Sequence, residues 1–190
     1  KKLISLIKDF LSVFKEGLWT VGEISDRVDT LATTERNRNR AFFRIFSAFY
    51  KRYQQGLIDR QEMDFADLIV KATSQIKSGE FKPQFSHIIV DEFQDISRGR
   101  AEFLKSIRGD QVTKLMCVGD DWQAIYGFTG SDVRITTDFE QHFGKFERVD
   151  LDKTFRFRQS IINASARFVQ KNPKQLRKEI VGRPENVEKD

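Results

Sequence analysis

The stretch HIIVDEFQD, residues 87–95, constrains the fold more than any other part of the sequence. Its apolar run, Ile88 to Val90, is β-branched and is followed directly by two carboxylates, Asp91 and Glu92. A short apolar run bounded by turn residues is typical of a buried strand that ends in a polar loop. Because open parallel α/β sheets bind ligands at the carboxyl edge of their strands, we expect Asp91 and Glu92 to lie at a ligand site.

An Asp-Glu pair at such an edge can support hydrolysis. One carboxylate can hold a divalent cation while the other orients or deprotonates a water, which is the arrangement of a Walker B site. The alternative is that Asp91 and Glu92 only begin a loop, and an isolated VDE tripeptide leaves both interpretations open.

After Asp95 the pattern alternates between strands and helices. It predicts a helix over residues 97–107, a buried strand over 114–118, helix or loop over 132–143, a strand over 146–151 and a helix over 159–170. This alternation predicts an α/β fold, with helices packed on a mainly parallel sheet. The strand over 114–118 also ends in a polar turn, Gly119-Asp120-Asp121, so two polar loops should share one sheet edge.

The N-terminal part is helical by pattern. Apolar residues at helical spacing predict helices over residues 3–17, 20–31, 34–55 and 64–79. Gly56 is expected to end the third helix, Asp64 to cap the start of the fourth and Gly79 to end it. The many aromatic residues of the third helix are most simply core residues.

The charge of the chain is unevenly distributed. Residues 34–60 carry seven Lys/Arg against two acids, and residues 153–183 carry nine against one, while the rest of the chain is net acidic. Two basic zones around an acidic middle suit a polyanion on the basic surfaces and a cation at the centre. The alternative is a pair of solvated helix faces.

Other site classes find little support. Cys117 lies in an apolar run and is expected to be a core residue, and with two distant histidines a zinc site is not expected. No apolar segment is long enough to span a membrane, which predicts a cytoplasmic protein without a membrane partner. The start without Met, in mid-helix pattern, suggests a piece of a longer polypeptide.

Three ordered motifs carry a resemblance to a known family. VDEFQD (90–95), VGDDWQAIYGFTGSD (118–132) and LDKTFRFRQSI (151–161) resemble motifs II, III and IV of superfamily 1A DNA helicases of the UvrD/Rep/PcrA type. DFADLI (64–69) resembles the segment that precedes motif II in that family. The segment YGFTGSD (126–132) most resembles the bacterial DNA helicase IV branch of that family.

The resemblance implies roles for individual residues in nucleotide binding and hydrolysis. Asp91 would be the Mg²⁺-associated carboxylate and Glu92 the residue that activates the attacking water. Gln123 would sense the γ-phosphate, Arg156 would be the arginine finger, and Phe155 would lie beside the adenine. Motif IV reads TFRF where the family usually has NYRS, which affects the adenine contacts rather than Arg156.

The resemblance also implies a DNA site. Tyr126 and Phe128 match positions whose rings stack on the bases of single-stranded DNA, and the alternative is that they close the sheet edge. Trp122 is expected to be a packing residue. Gln94 and Asp95 could either orient the loop or act in catalysis. Thr129 stands where relatives usually carry Arg, so one contact to DNA or phosphate is expected to be missing.

The main departure is the absence of a GxxxxGK[ST] sequence, the P-loop that cradles the phosphates. Motifs Ia, V and VI are also missing. The resemblance therefore implies part of a helicase, inactive alone, that uses ATP and Mg²⁺ and acts on single-stranded and partially duplex DNA only with the rest of its parent.

The implied fold is a partial RecA-like P-loop NTPase fold preceded by a helical subdomain. The expected domains are residues 1–62, a helical accessory subdomain; 63–145, the second half of the first motor domain; and 146–190, the start of the second. One alternative is a non-catalytic nucleic-acid-binding or regulatory module with a degenerate helicase fold. A carboxylate-metal nuclease is disfavoured because no further ligand cluster accompanies Asp91 and Glu92.

Overall fold

The computed structural model describes residues 2–109, 113–173 and 175–184. The helices are α1 Lys2–Glu16, α2 Val21–Asp29, α3 Thr33–Asp59, α4 Phe65–Lys77, α5 Arg98–Arg108, α6 Arg134–Thr137, α7 Phe139–Phe143 and α8 Gln159–Val169. The strands are β1 His87–Val90, β2 Lys114–Cys117, β3 Lys153–Arg158 and β4 Val181–Arg183. Short 3₁₀ turns follow β1 at Phe93–Asp95 and β2 at Asp121–Gln123 and Gly127–Thr129.

Side-chain caps set the starts of α2 and α4. The Thr20 hydroxyl accepts a hydrogen bond from the Glu23 N–H at 3.2 Å, and the Glu23 carboxylate accepts one from the Thr20 N–H at 2.8 Å, which forms a capping box. At α4, the Asp64 carboxylate accepts from the Asp67 N–H at 2.9 Å. Gly79 follows the end of α4 with a φ of +80°. The predicted boundaries at Thr20, Asp64 and Gly79 are confirmed to within a residue or two.

The prediction that Gly56 ends the third helix is wrong, because α3 continues to Asp59. Glycine inside a helix costs only about 1 kcal/mol relative to alanine, and the next residue, Leu57, is buried and anchors the final turn. The helix ends in a Schellman motif, in which the left-handed Gln61 donates its N–H to the Ile58 carbonyl and Glu62 donates to the Leu57 carbonyl.

Aromatic side chains from α1 and α3 form the helical core. Phe14 and Phe46 are fully buried, with ring centroids 5.1 Å apart in an edge-to-face arrangement. Phe43 is also buried, which confirms that much of the aromatic face of α3 is core. Phe49 is an exception, because it remains 39% exposed and stacks on Tyr53 instead.

A buried lysine ties α1 to α4. The Lys15 Nζ lies 2.6 Å from Asp64 Oδ2 and 2.6 Å from Asp67 Oδ1, while the Tyr53 hydroxyl donates to Asp64 Oδ2 at 2.9 Å. Burial raises the pKa of Asp64, but the hydrogen bonds from Lys15, the Asp67 N–H and Tyr53 outweigh it and leave that pKa below its ordinary value. Burial and the bond to Asp64 raise the pKa of Tyr53 to about 12.

Each strand pair is parallel. β1 pairs with β2, with Ile88 opposite Leu115, and β3 pairs with β4. Parallel pairing was predicted, but within the described residues the strands form two separate two-stranded sheets rather than one. A second core, built around Phe93, Leu104 and Phe143, packs under the β1–β2 sheet.

The prediction that β1 and β2 are buried holds for one face only. Ile88 and Leu115 pack on the second core, whereas Ile89 is 72% and Met116 58% exposed. Successive strand residues point to opposite faces, and no described element covers the face that carries Ile89 and Met116.

The strand predicted over residues 146–151 is absent. Val149 and Leu151 alternate with polar residues as a strand would, yet they are 85% and 88% exposed and have no described pairing partner. The strand lies instead at β3, where Lys153 pairs with Val181. Strand propensity does not hold a segment in place unless a neighbouring strand supplies hydrogen bonds.

Candidate active site

The loops that follow β1 and β2 lie side by side at the carboxyl edge of the sheet. Hydrogen bonding continues beyond both strands, because the Val118 N–H donates to the Val90 carbonyl at 2.8 Å and the Phe93 N–H donates to the Val118 carbonyl at 2.9 Å. Residues 91–95 are therefore fixed against residues 118–120, as the parallel order of the two strands requires.

Asp91 and Glu92 both lie exposed at the end of β1. Glu92 adopts the left-handed conformation, with a φ of 49° and a ψ of 42°, which costs a non-glycine residue roughly 1 to 2 kcal/mol. Asp91 supports this sharp turn, since its Oδ1 accepts the Glu92 N–H at 2.9 Å. Leu18 and Gln61 adopt the same left-handed conformation away from the site, and at Glu92 the strain falls on the predicted catalytic carboxylate, where such strain is common at functional sites.

Gln94 connects the two loops. Its side chain is only 2% exposed, its Nε2 donates to Glu92 Oε2 at 2.6 Å, and its Oε1 accepts the Asp120 N–H at 2.9 Å. Gly119 makes room for this bridge, because a Cβ there would lie 2.8 Å from Gln94 Oε1. Gln94 thus orients the loop that carries Glu92, which was one of its two predicted roles.

Asp120 accepts hydrogen bonds from three directions. Its Oδ2 accepts from Gln123 Nε2 at 2.8 Å, and its Oδ1 accepts from the Trp122 N–H at 3.2 Å and from Lys178 Nζ at 2.6 Å. Burial raises the pKa of Asp120, but the bonds from Lys178 and Gln123 outweigh it and lower that pKa. A continuous series of hydrogen bonds therefore joins Gln123 to the loop of Glu92.

Residues 175–180, which precede β4, dock on the same loop. Asp121 is 1% exposed, and its Oδ2 accepts the Leu176 N–H at 2.7 Å while its Oδ1 lies 2.5 Å from Lys178 Nζ. The Trp122 indole N–H donates to the Leu176 carbonyl at 2.8 Å, and Lys178 Nζ lies 5.5 Å from the centre of the ring. Trp122 is therefore a packing residue, as predicted.

The predicted base-stacking rings lie on an exposed loop. Tyr126 is 46% and Phe128 71% exposed, with ring centroids 6.0 Å apart. Among the described residues, Phe128 is therefore not buried at the sheet edge. Helix α1 supports the loop, because Gly130, at a φ of +103°, packs so closely on Glu16 that an added Cβ would lie 2.8 Å from the Glu16 Cβ.

Phe155 and Arg156 lie within β3, whereas the strand predicted over residues 146–151 would have ended before them. Phe155 is 74% exposed, and the Arg156 side chain, also exposed, makes no hydrogen bond or ion pair with another described residue. Within the described ranges, the structure does not bring either side chain into contact with Asp91 or Glu92.

The comparisons with known proteins agree with the motif resemblance. The family described as "UvrD/REP helicase N-terminal domain" matches residues 4–144. The chain belongs to this UvrD/REP helicase family. It is 43% identical over 136 residues to DNA helicase IV of Escherichia coli, an alignment that covers 71% of this chain and 20% of that protein. It is 27% identical over 160 residues to the ATP-dependent DNA helicase PcrA of Staphylococcus epidermidis, covering 80% of this chain and 22% of the relative.

A further relative is DNA helicase II of Haemophilus influenzae, 26% identical over 175 residues, with 87% of this chain and 23% of that protein covered. The chain thus spans about a fifth of the length of the curated relatives it matches. The recognition of a UvrD/Rep/PcrA-type superfamily 1 helicase fragment is confirmed. No described helix of this UvrD/REP family chain is long and apolar enough to cross a membrane.

The site of this UvrD/REP family chain includes residues that sequence reasoning missed. Asp120 and Asp121 were read only as a polar turn, although two adjacent acids after a buried strand were a signal of the same kind as Asp91 and Glu92. Lys178 had no distinguishing signal, because it stands among the many lysines and arginines of a basic zone.

Burial raises the pKa of the Cys117 thiol to about 12, in keeping with its predicted core position.

Among the described residues, no group of three or more His, Cys, Asp or Glu side chains could hold a metal ion. A cation at Asp91 would therefore need ligands from a bound nucleotide and water, which is how Mg²⁺ is commonly held beside phosphates.

Proposed function

We propose that this chain is part of an ATP-dependent DNA helicase that couples ATP hydrolysis to movement along single-stranded DNA and to duplex unwinding. The observation that carries the proposal is the joined pair of loops at the sheet edge. The loop of Asp91 and Glu92 is bonded through Gln94 to the loop of Gln123, so three residues with implied nucleotide roles belong to one hydrogen-bonded unit.

In this proposal Asp91 and Glu92 divide the chemistry. Asp91 would contribute one carboxylate to a Mg²⁺ ion, and ATP and water would supply its other ligands. When bound, the ion neutralises charge on the phosphates. Glu92 orients the attacking water and accepts its proton, and the left-handed backbone with the bond from Gln94 keeps its carboxylate in one orientation.

The fold supports this assignment. A parallel strand pair with apolar side chains on both faces is typical of a sheet that helices cover on both sides, and Ile89 and Met116 are exposed on the face that no described element covers. We infer that β1 and β2 belong to a larger RecA-like sheet, completed by the rest of the parent helicase. The predicted domains, 1–62, 63–145 and 146–190, remain part of this proposal.

The rest of the parent would also supply the phosphate-binding loop. The sequence contains no GxxxxGK[ST], so the backbone N–H groups and the lysine that hold the β- and γ-phosphates must come from elsewhere. We therefore expect the isolated chain to hydrolyse no ATP. DNA-stimulated hydrolysis by the purified isolated chain would contradict this part of the proposal.

DNA contacts are assigned to the exposed aromatic loop. Tyr126 and Phe128 can offer ring faces to successive bases, a mode that tolerates any sequence because every base has a π-face. The basic zone at residues 153–183 can attract the phosphate backbone. Together these surfaces suit a single strand that passes beside the hydrolysis site.

Arg156 is proposed as the arginine finger and Phe155 as the ring beside the adenine. Both side chains are exposed on β3, and the Arg156 guanidinium forms no ion pair with a described residue, so it is available to a nucleotide. A guanidinium aimed at the γ-phosphate stabilises the charge that develops as the bond breaks, an effect worth about 10³ to 10⁵ in rate.

The experiment compares Arg156→Ala with Arg158→Ala in the longer helicase. Arg158 is the matched control, since it is an exposed arginine two residues further along the same strand. Arg156→Ala should lower ATP turnover by orders of magnitude, and Arg156→Lys should restore little because an ammonium lacks the planar fork. Arg158→Ala should instead weaken DNA binding and reduce its salt dependence.

Equal, mild effects of both alanine substitutions on turnover would overturn the role of Arg156. If the longer protein bound DNA without hydrolysing ATP, a non-catalytic nucleic-acid-binding module would be the better interpretation of its function. The missing P-loop is the observation that favours that alternative.

A further inference from the structure

Residues 175–180, which precede β4, are anchored to the β2 loop at three points. Leu176 contributes its N–H to Asp121 and its carbonyl to Trp122, while the Lys178 ammonium lies between Asp120 Oδ1 and Asp121 Oδ1 at 2.6 and 2.5 Å. The Lys178 side chain is 19% exposed and that of Asp121 is fully buried, so water screens the Lys178–Asp121 pair only weakly, whereas the Asp120 side chain is 38% exposed.

The segment is also firmly attached to the body formed by β3, α8 and β4. Gln170 Nε2 donates to the Lys178 carbonyl at 3.0 Å, and Gln159 Nε2 donates to the Ile180 carbonyl at 3.1 Å. The Gly182 N–H donates in turn to Gln159 Oε1 at 2.7 Å. The Lys178 ammonium therefore follows the position of the whole body, which also carries Arg156 on β3.

We propose that Lys178 and Asp120 form a latch that positions Gln123 when the β3–α8–β4 body docks on the β2 loop. The role of the latch rests on the proposed function, in which Gln123 senses the γ-phosphate. Lys178 and Asp120 are positioning residues, because neither is required to touch the nucleotide. The latch links the position of the body that carries Arg156 to the orientation of the residue that reads the phosphate.

The geometry of Asp120 explains how the latch works. One carboxylate oxygen of Asp120 accepts hydrogen bonds from Lys178 at 2.6 Å and from the Trp122 N–H at 3.2 Å, and the other accepts one from the Gln123 amide. Fixing the first oxygen therefore fixes the plane of the carboxylate and the direction of the second oxygen. When the body undocks, only the longer bond from the Trp122 N–H holds the first oxygen, so the carboxylate rotates more freely and exchanges Lys178 for water. Gln123 then loses a fixed acceptor, while the backbone bond from Asp120 to Gln94 still holds the loop itself.

A purely structural brace would make a different prediction. If Lys178 only stabilised the fold, its loss would lower folded stability and would change every kinetic constant through the amount of active protein. A latch instead affects the stimulation of ATP turnover by DNA while the KM for ATP is unchanged. The ratio of turnover with and without single-stranded DNA is the diagnostic quantity, because the amount of folded protein cancels from it.

The first measurement follows Trp122 fluorescence in the chain itself, with Trp19→Phe removing the other tryptophan. Lys178→Met keeps the length of the side chain and removes its charge, and Lys145→Met is the control because Lys145 is exposed and makes no described side-chain contact. Lys178→Met should shift the Trp122 emission to the red and increase quenching by acrylamide, since the indole loses its cover. Lys145→Met should leave both unchanged.

The second measurement uses the longer helicase with the same substitutions. Lys178→Met should reduce DNA stimulation of ATP turnover about tenfold, within the 5- to 150-fold range typical of coupling between sites. Lys178→Arg, which retains a cation, should restore part of the stimulation. Lys145→Met should behave like the wild type.

The outcomes separate the latch from the proposed function. Unchanged Trp122 emission in Lys178→Met, or a released indole with normal DNA stimulation, would overturn the latch. Absence of DNA-stimulated hydrolysis in the wild-type helicase would overturn the proposed function and the role of the latch with it, while the Trp122 measurement would still report the docking contact.

Discussion

Replacing Gln94 with methionine should destabilise the chain by removing the bridge between the two loops of the site. Methionine is unbranched and of similar length, so it can occupy the space that the Gln94 side chain fills beside Gly119. The substitution removes the donor to Glu92 and the acceptor for the Asp120 N–H, both of which Gln94 supplies from a buried position.

The expected loss follows from the exposure of the two partners. Glu92 is exposed, so its carboxylate can exchange the lost bond for water at little cost. The Asp120 N–H faces the buried amide, and an unsatisfied buried donor costs about 1 to 3 kcal/mol. We therefore expect the free energy of unfolding to fall by about 2 kcal/mol, equivalent to roughly 4 to 8 °C in Tm for a chain of this size.

Thermal and urea unfolding, followed by circular dichroism, would measure this loss. Gln141→Met is the matched control, because Gln141 is exposed, and it should change stability by less than about 0.5 kcal/mol. A Gln94→Met variant as stable as the control would refute the reasoning that the bridge holds the loops together.

Three further predictions concern other parts of the chain. Lys15→Met should lower the free energy of unfolding, measured by urea unfolding, by about 2 kcal/mol. The loss should be smaller than for a fully buried ion pair because the carboxylates of Asp64 and Asp67 are about a quarter exposed. The folded pKa of Asp64 is lowered, so the stability that this contact contributes should be present above the unfolded pKa and should be lost as pH falls through the folded pKa. An acid titration in which the stability of the wild type falls no more steeply than that of Lys15→Met would contradict this. Cys117 should react far more slowly with a thiol reagent at pH 8 in the folded chain than in urea, since burial raises its pKa to about 12, and equal rates would count against a core position. Phe128→Ala in the longer helicase should weaken single-stranded DNA binding by roughly 1 to 3 kcal/mol with little change in salt dependence, and a normal affinity by fluorescence anisotropy would exclude the stacking role.

The parts of the fold that were predictable have local causes. A carboxylate at Asp64 caps the helix that begins one residue later, and the β-branched run before Asp91 forms a strand. Both features depend on residues close together in sequence, where propensity and capping act. The family was also predictable, because three motifs occur in the sequence in the same order as in that family.

The parts that were not predictable depend on partners distant in sequence. The run at residues 146–151 has strand-like alternation, but the segment that pairs with β4 is the one that begins at Lys153. Lys178 contacts a carboxylate 58 residues earlier in the chain, and no local pattern distinguishes it from its basic neighbours. The effect of Gly56 was misjudged because the free-energy cost of a glycine inside a helix is small compared with the stabilisation from the buried Leu57 side chain.

The most direct test of the central claim is single-stranded-DNA-stimulated ATP hydrolysis by the longer helicase carrying Glu92→Gln. The structure makes this substitution selective, because a glutamine oxygen at position 92 can still accept the bond from Gln94 Nε2, so the loop keeps its shape while the base is lost. We expect ATP still to bind while turnover falls by about 10² to 10⁴, the usual contribution of a positioned general base. Turnover close to that of the wild type, with ATP binding intact, would contradict the assignment of Glu92 and of the sheet edge as the site of hydrolysis.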